Sequence, residues 1–378
     1  MSLIIDGAGV CTSLLLNLSE VIGENASPTR GLSAGALAAV YDPDNVRQGP
    51  QVNDISMRGH QRTARVMYKR PTLLGDVSDV PTDLCFEGEV NPYVEDLVEI
   101  DKYKEKTGSV DIATVRTFCE ELSNLENIGL VIGNNASVTD ILSRGESQTS
   151  LSVIRELAQS ILFDRRAMLE AIDLDIVNSI VAGAGTLEGG GSGTYDVLNN
   201  DGSPNAAGIG QMLQDISNLG MMGIPIHIGS NTGAFDRFLR WGNNLSGYCC
   251  QEGGVEFGGI TANVGKYYKS RQVTTATSNA DDVLSFFPGT VKFITDIRNT
   301  GNFARRHANS WLARLPVAEV PGLVLDFTIT EDPCEQIYLY KHSLYYTIWT
   351  PEGLYLTGDA MEGVNGIVVS EVNQVVGP

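Results

Sequence analysis

Several strings in this chain have residue types and spacings that suggest chemistry. Gly31-Leu32-Ser33-Ala34-Gly35 fits G-x-S-x-G, the elbow that exposes a nucleophilic serine on a strained strand-to-helix turn. An elbow needs an apolar strand leading in, and residues 23–30, GENASPTR, are polar. The four histidines, His60, His227, His307 and His342, are far apart and offer neither HExxH nor triad spacing. Gly229-Ser230-Asn231-Thr232-Gly233 sits between an apolar run and a helical pattern, where free backbone N–H groups can cradle an anion, but it has no lysine. GITANVGKY, from Gly259, has one residue too many before Gly265 for a P-loop, and Tyr267 where serine or threonine should bind magnesium. In the glycine-rich tract 183–193, Gly183 and Gly185 are followed by Glu188 where a dinucleotide fingerprint needs its third glycine. Cys11, Cys85, Cys119, Cys249, Cys250 and Cys334 are scattered, with no C-x-x-C, and read as reduced apolar side chains. No catalytic set, cofactor or metal site is expected. A soluble α/β hydrolase or phosphate-binding enzyme, built on Ser33 or on residues 229–233, is the competing reading.

The remaining chemistry is electrostatic. Arg58, Arg62, Arg65, Lys69 and Arg70 crowd together, whereas Pro71 to Asp101 holds no lysine or arginine but nine carboxylates: Asp76, Asp79, Asp83, Glu87, Glu89, Glu95, Asp96, Glu99 and Asp101. ARVMYKRP alternates like a strand, Gly75 and Pro81 interrupt, and NPYVEDLVEID resumes with Val94, Leu97, Val98 and Ile100. A two-stranded excursion is expected, with a basic outgoing limb and an acidic return. Such a ribbon is not stable alone and both faces are too polar for a core, so a surface on a neighbouring chain is expected to support it.

These limbs need elements to hold them. Leu151, Ile154, Leu157, Ala158, Ile161, Leu162, Met168, Ile172, Ile176 and Ile180 recur at steps of three and four, a helical stripe over 150–180 about 45 Å long. Thr149, Ser150 or Ser152 can cap it, Gly183 ends it, and Arg155, Glu156, Asp164, Arg165, Glu170 and Asp173 fall mostly off the stripe. A shorter amphipathic helix is expected over 111–125. Ile209, Met212, Leu213, Ile216 and Leu219 keep helical spacing, 224–228 reads as a buried strand, and Asn231 or Thr232 caps a helix carrying Phe235, Phe238 and Leu239. Leu323, Leu325, Phe327 and Ile329 alternate with polar residues, and an aromatic strand follows over 337–349. The whole is α+β. With 46 acidic and 26 basic residues, a formal charge of -20, general binding to nucleic acid or to an anionic membrane is not expected. The first residues lack a basic region, so neither a secretory signal nor a membrane span is expected.

In the order of its parts the chain resembles the major capsid proteins of tailed bacteriophages, with the Hong Kong 97-type fold. The strings that carry the resemblance are Tyr68-Lys69-Arg70, FPGTVKF (Phe287 to Phe293), read as a strand, CEQIYL (Cys334 to Leu339) and TGDAMEGVNGI (Thr357 to Ile367). The resemblance implies an N-terminal arm (1–57), an extended two-stranded loop (58–110), a peripheral domain with spine helix 150–180 beside an elongated sheet (111–204 and 316–378), and an α/β axial domain (205–315). It also implies a structural role as hexamers and pentamers in an icosahedral shell. That shell encloses double-stranded DNA without sequence-specific binding, and scaffold, portal and decoration proteins are possible partners. The place is the virion capsid, assembled in the host bacterial cytoplasm, with no membrane. Arg58, Arg62, Arg65, Lys69, Arg70, Glu95, Asp96 and Glu99 become the expected inter-subunit contact. An encapsulin-like compartment or another phage structural protein is the further alternative. The chain departs from the family pattern in showing no highly charged helical pre-segment and no residue that stands out for a covalent cross-link.

Overall fold

The computed structural model describes residues 33–47, 51–58, 61–68, 94–111, 148–187, 193–219, 223–243, 250–251, 255–257, 260–262, 265–298, 305–307, 310–317, 320–332, 337–351 and 364–375. The helix expected over 111–125 lies outside these residues except for Asp111, which ends a strand; Cys334 to Gln336 and Thr357 to Gly363 lie outside them too. The fold is α+β. The chain divides into two compact units, one of Met1–Leu32, Tyr103–Ala171 and Asp296–Tyr345, the other of Ser33–Lys102, Ile172–Thr295 and Tyr346–Pro378. These cut across the four segments expected from the sequence.

Two short helices open the described chain, α1 (Gly35–Val40) and α2 (Pro43–Arg47). Strands β1 (Gln51–Arg58), β2 (Gln61–Tyr68) and β3 (Val94–Glu99) then form an antiparallel sheet in that order, with a bulge between Asn53 and Ser56. The basic and acidic limbs pair as β2 and β3, as the alternation indicates. The ribbon has a third strand, however, from the segment read as an arm. The reading of both faces as too polar for a core is corrected: Ala64, Val66 and Tyr68 are buried against Ile294 and Trp349 of the same unit, with Val98 beside them. The Tyr68 and Trp349 rings lie 5.4 Å apart. The apolar half of the ribbon escaped notice because its buried residues come mostly from one strand, with only Val98 added from β3.

Strand β4 (Lys102–Asp111) follows, and then α3 (Gln148–Ala182), which extends the expected spine by two residues at each end. Ile161, Leu162, Met168, Ile172, Ile176 and Ile180 are buried, as the stripe requires, together with Leu169 and Val177. Arg165 and Asp173 are buried too, which corrects their placing off the stripe. A helical face wider than one row takes in positions beside it, and a polar side chain there survives only with partners.

The second unit is built on a mixed sheet, ordered β5 (Thr194–Leu198), β17 (Ile367–Gln374), β11 (Asp282–Phe286), β6 (Ile226–Gly229), β10 (Lys266–Lys269) and β7 (Cys250–Gln251). Alternation along β10 shows how both faces are covered. Tyr267 lies near Phe235 and Lys269 pairs with Asp236, both on α5 (Gly233–Asn243), while Lys266 and Tyr268 reach Asp42 beside α1 and α2. Helix α4 (Ala206–Ser217), capped by Asn205, buries Ile209, Met212 and Ile216 in the same core as Phe235 and Leu239. A short helix α6 (Gln272–Thr277) follows β10, and β8 (Val255–Phe257) pairs with β9 (Ile260–Ala262).

The last sheet runs β12 (Lys292–Asp296), β16 (Ile337–Trp349), β15 (Val324–Asp332), β14 (Ser310–Pro316) and β13 (Arg305–His307), with β4 also on β16. FPGTVKF is thus a turn entering a strand that starts at Lys292. In the first unit Tyr340 donates to Asp164 of α3 at 2.7 Å, and in the second Tyr346 donates to Asp175 of α3 at 2.6 Å. Among the described residues no helix is long and apolar enough to cross a membrane.

Ile172 has no exposure, whereas Phe163 on the same helix is 44% exposed. An unpaired charge on the buried face costs several kcal/mol, comparable with the stability of a domain. Ile172→Asp is therefore expected to shift expressed protein into the insoluble fraction, and Phe163→Asp to leave it soluble.

Candidate functional site

The β1–β3 sheet carries the residues expected to meet a neighbour. Side chains alternate across a strand, so those of Arg62, Ala64, Val66 and Tyr68 share one face and those of Thr63, Arg65 and Met67 the other. In register, Arg65 is opposite Leu97 and Asn53, Met67 is opposite Glu95, and Thr63 is opposite Glu99. The face away from Trp349 therefore presents Arg65, Glu95, Leu97 and Glu99, all exposed. Arg65 Nε and Glu95 Oε1 are 2.9 Å apart, with side chains 46% and 40% exposed. An exposed pair of this kind contributes about 0 to 1 kcal/mol. The basic and acidic limbs thus meet within one chain.

Asp96 is opposite Val66 and turns to the packed face, where Trp349 Nε1 donates to its Oδ2 at 2.9 Å. This carboxylate serves the ribbon's own core. Arg62, on the packed-face row, is half-buried; Arg58 ends β1 opposite Gln61. Lys69 and Arg70 lie outside the described residues.

Both features that carried the enzyme reading lie in the second unit, and they touch. The Ser33 hydroxyl accepts from Arg271 N–H at 3.1 Å and from the Asn231 amide at 3.3 Å. Neither donor is a base, so the arrangement fastens the chain before α1 and does not activate a nucleophile. The turn 229–233 does precede a helix, α5. The helix N-terminus already has its anion, because Ala234 N–H donates to the Asp281 carboxylate at 2.6 Å. Ser230 Oγ accepts from Thr232 N–H and bonds Thr274. A Ser–His contact that the sequence did not suggest joins His227 Nδ1 to Ser285 Oγ at 2.8 Å, but both are buried in the sheet. His342 is buried in the first unit, and burial, then the Arg165 charge, pushes its pKa down to about 3, so it is neutral near pH 7.

Among the described residues, a dense polar network joins α1 and α2 to the rest of the second unit. Leu37 N–H, in the first turn of α1, donates to Asp173 Oδ1 at 2.7 Å, and Ser270 Oγ donates to Asp173 Oδ2. Gly35 comes so close to β10 that a Cβ there would lie 2.1 Å from Lys269 O. Lys266 Nζ reaches both Asp42 oxygens at 2.8 and 3.0 Å and Asp44 at 2.9 Å; Tyr268 donates to Asp42 at 2.6 Å. Burial alone would raise the Asp42 pKa, but the bonds from Lys266, Tyr268 and Asp44 N–H outweigh it and hold it below the ordinary value. Asn45 donates to Val40 O and Val291 O and accepts from Gly289 N–H, while Lys292 Nζ donates to Asn45 O.

No protein-family model matches the chain, and no curated protein matches it. Among solved structures it is similar to one of Mycobacterium phage Che8, at 10% identity over 86% of this chain and 92% of that one, with TM-score 0.39. It is similar to the asymmetric unit of the bacteriophage PhiM1 mature capsid, at 10% identity over 83% and 82%, with TM-score 0.38. The capsid of Ralstonia phage GP4 aligns at 9% identity over 87% of each chain, with TM-score 0.39.

Two measurements probe the seat of α1 and α2. Removing one partner of a buried ion pair costs about 3 to 5 kcal/mol, whereas replacing both by apolar residues is often neutral. Asp42→Ala is expected to lower the denaturant midpoint strongly, and Asp42→Leu with Lys266→Leu to recover most of it. Burial pushes the Lys292 pKa down to about 8 from its ordinary 10.5. Between these values the unfolded chain binds more protons, so Lys292 contributes a stability that rises with pH. The melting temperature is expected to rise from about pH 8 toward pH 10 in wild type relative to Lys292→Met.

Proposed function

We propose that this chain is a shell-forming structural protein, a major capsid protein of a tailed bacteriophage, with copies arranged as hexamers and pentamers around packaged double-stranded DNA. What supports the reading is the open face of the ribbon: a sheet seated on its own chain by one face and presenting Arg65, Glu95, Leu97 and Glu99 on the other. A long α3 and an α/β unit follow it in the order the resembled family implies. A charge of -20 suits a coat that must not grip phosphate tightly. The fasteners at Ser33 and the Asp281 carboxylate at α5 count against the hydrolase and phosphate-binding reading.

The inter-subunit contact we propose is the open ribbon face with Arg58, Arg62, Lys69 and Arg70, set against carboxylates of a neighbouring copy. Scaffold, portal and decoration proteins are further partners of such a shell, assembled in a bacterial host. Each contact is small, but a subunit in a closed shell is held at several at once, so small losses multiply.

Sedimentation and negative-stain images of purified protein test the reading: shells or capsomers are expected, and monomers or small oligomers only would overturn it. Lys69→Glu with Arg70→Glu is expected to leave the melting temperature of unassembled protein unchanged but to block or delay assembly, and wild-type assembly is expected to depend on ionic strength. Normal assembly of the double variant at low and high salt would remove the charged limb from the contact.

A further inference from the structure

Asp282 and Glu371 stand directly opposite each other where β11 pairs antiparallel with β17. Like charges in that position destabilise a ladder. Among the described residues no lysine or arginine pairs with either carboxylate. What lies between them is one amide: Asn279 Nδ2 donates to Asp282 Oδ1 at 3.0 Å and to Glu371 Oε1 at 3.3 Å. The amide's orientation is settled by its other end, because Asn279 Oδ1 accepts from Asp281 N–H at 3.1 Å. Asn279 N–H in turn donates to Thr277 Oγ1 at 3.3 Å, so the bridge is held by its own turn.

The other groups facing Asp282 are the Thr277 hydroxyl, at the end of α6, and the Asp281 carboxylate. Asp281 is committed to α5 through Ala234 N–H, and adds negative charge without relieving any. From β5, Gly193 O accepts Glu371 N–H, and Thr194 lies opposite Glu371 in parallel register. The site therefore holds three carboxylates and neutral donors, and one amide cannot offset two ionised groups.

We propose that Asp282 is a proton-binding group facing the like charge of Glu371 across the ladder, so that taking up a proton relieves the repulsion and the β11–β17 ladder tightens as pH falls toward the carboxylate range. Protonation of Asp282 turns a repulsive cross-strand pair into one neutral and one charged group, while the Asn279 amide still bridges them. Burial raises the Asp282 pKa, and the Glu371 and Asp281 charges add to this; Thr277 and Asn279 oppose it and do not overcome it. The device belongs to the folded subunit and stands whether or not the chain assembles.

The test is the melting temperature of full-length, unassembled protein from about pH 4.5 to pH 8, in wild type, Asp282→Asn and Glu371→Gln. An asparagine at 282 can still accept from Asn279 and carries no charge, so it mimics the protonated state. A group whose folded pKa is raised contributes stability that is fully present below the ordinary carboxylate value and is lost as pH rises through the folded value. Asp282→Asn is therefore expected to melt about 2 to 4 °C above wild type at pH 8, with the difference vanishing toward pH 4.5, and Glu371→Gln to behave alike. A difference that does not change with pH, or a wild type more stable than both variants at pH 8, overturns the proposal. If neither variant folds, carbon-13 titration of the Asp282 carboxyl in wild type decides: a midpoint well above the ordinary carboxylate value supports the proposal, and an ordinary midpoint sinks it.

Discussion

A carboxylate with no exposure lies on the packed face of the longest helix, and much of the second unit is arranged to satisfy it. Asp173 takes one bond from the backbone of α1 and one from the Ser270 hydroxyl after β10. Left without them, a buried ionised group would cost more than a domain's net stability. The requirement ties α3, α1 and β10 together more strictly than apolar contact does, because apolar surfaces tolerate sliding and hydrogen bonds do not. It also completes α1: Ala34, before that helix, makes no side-chain cap, and Asp173 serves a first-turn N–H from 136 residues away.

The same device recurs in the second unit. Asp281 serves the start of α5, and Asp42 serves Asp44 N–H while neutralising Lys266. Helix starts that would be open to a phosphate in another protein are occupied here by the chain's own acids, which is part of what an excess of carboxylates does in a folded subunit. The Asp281 and Lys266 bonds join residues distant in sequence, Ala234 to Asp281 and Asp42 to Lys266. The exception is the pair at Asp282 and Glu371, where two acids meet with only an amide between them.

In the ribbon, charge is divided between two tasks. Arg65 and Glu95 pair across β2 and β3 on the open face, and Asp96 turns inward to Trp349. Pairing of the limbs in one chain leaves a surface with both signs and little net preference, flanking the exposed Leu97. Any further ion pair made through this face would have to compete with an existing one.

Periodicity by itself determined the long helix, the two helices of the α/β unit, the pairing of the charged limbs and the last two long strands, because burial on one side of an element writes its period into the chain. The missing dinucleotide and P-loop spacings were legible in the same way. Tertiary structure decided the rest. The third strand of the ribbon, the inward turn of Asp96 and the burial of Arg165 and Asp173 have no local signature, since a polar side chain looks the same in sequence whether it meets water or a partner far along the chain. The meeting of Ser33 with Asn231, 198 residues apart, likewise exists only in the fold. Local pattern reports which face is buried; which polar groups are buried with it depends on partners that only the folded chain brings within reach.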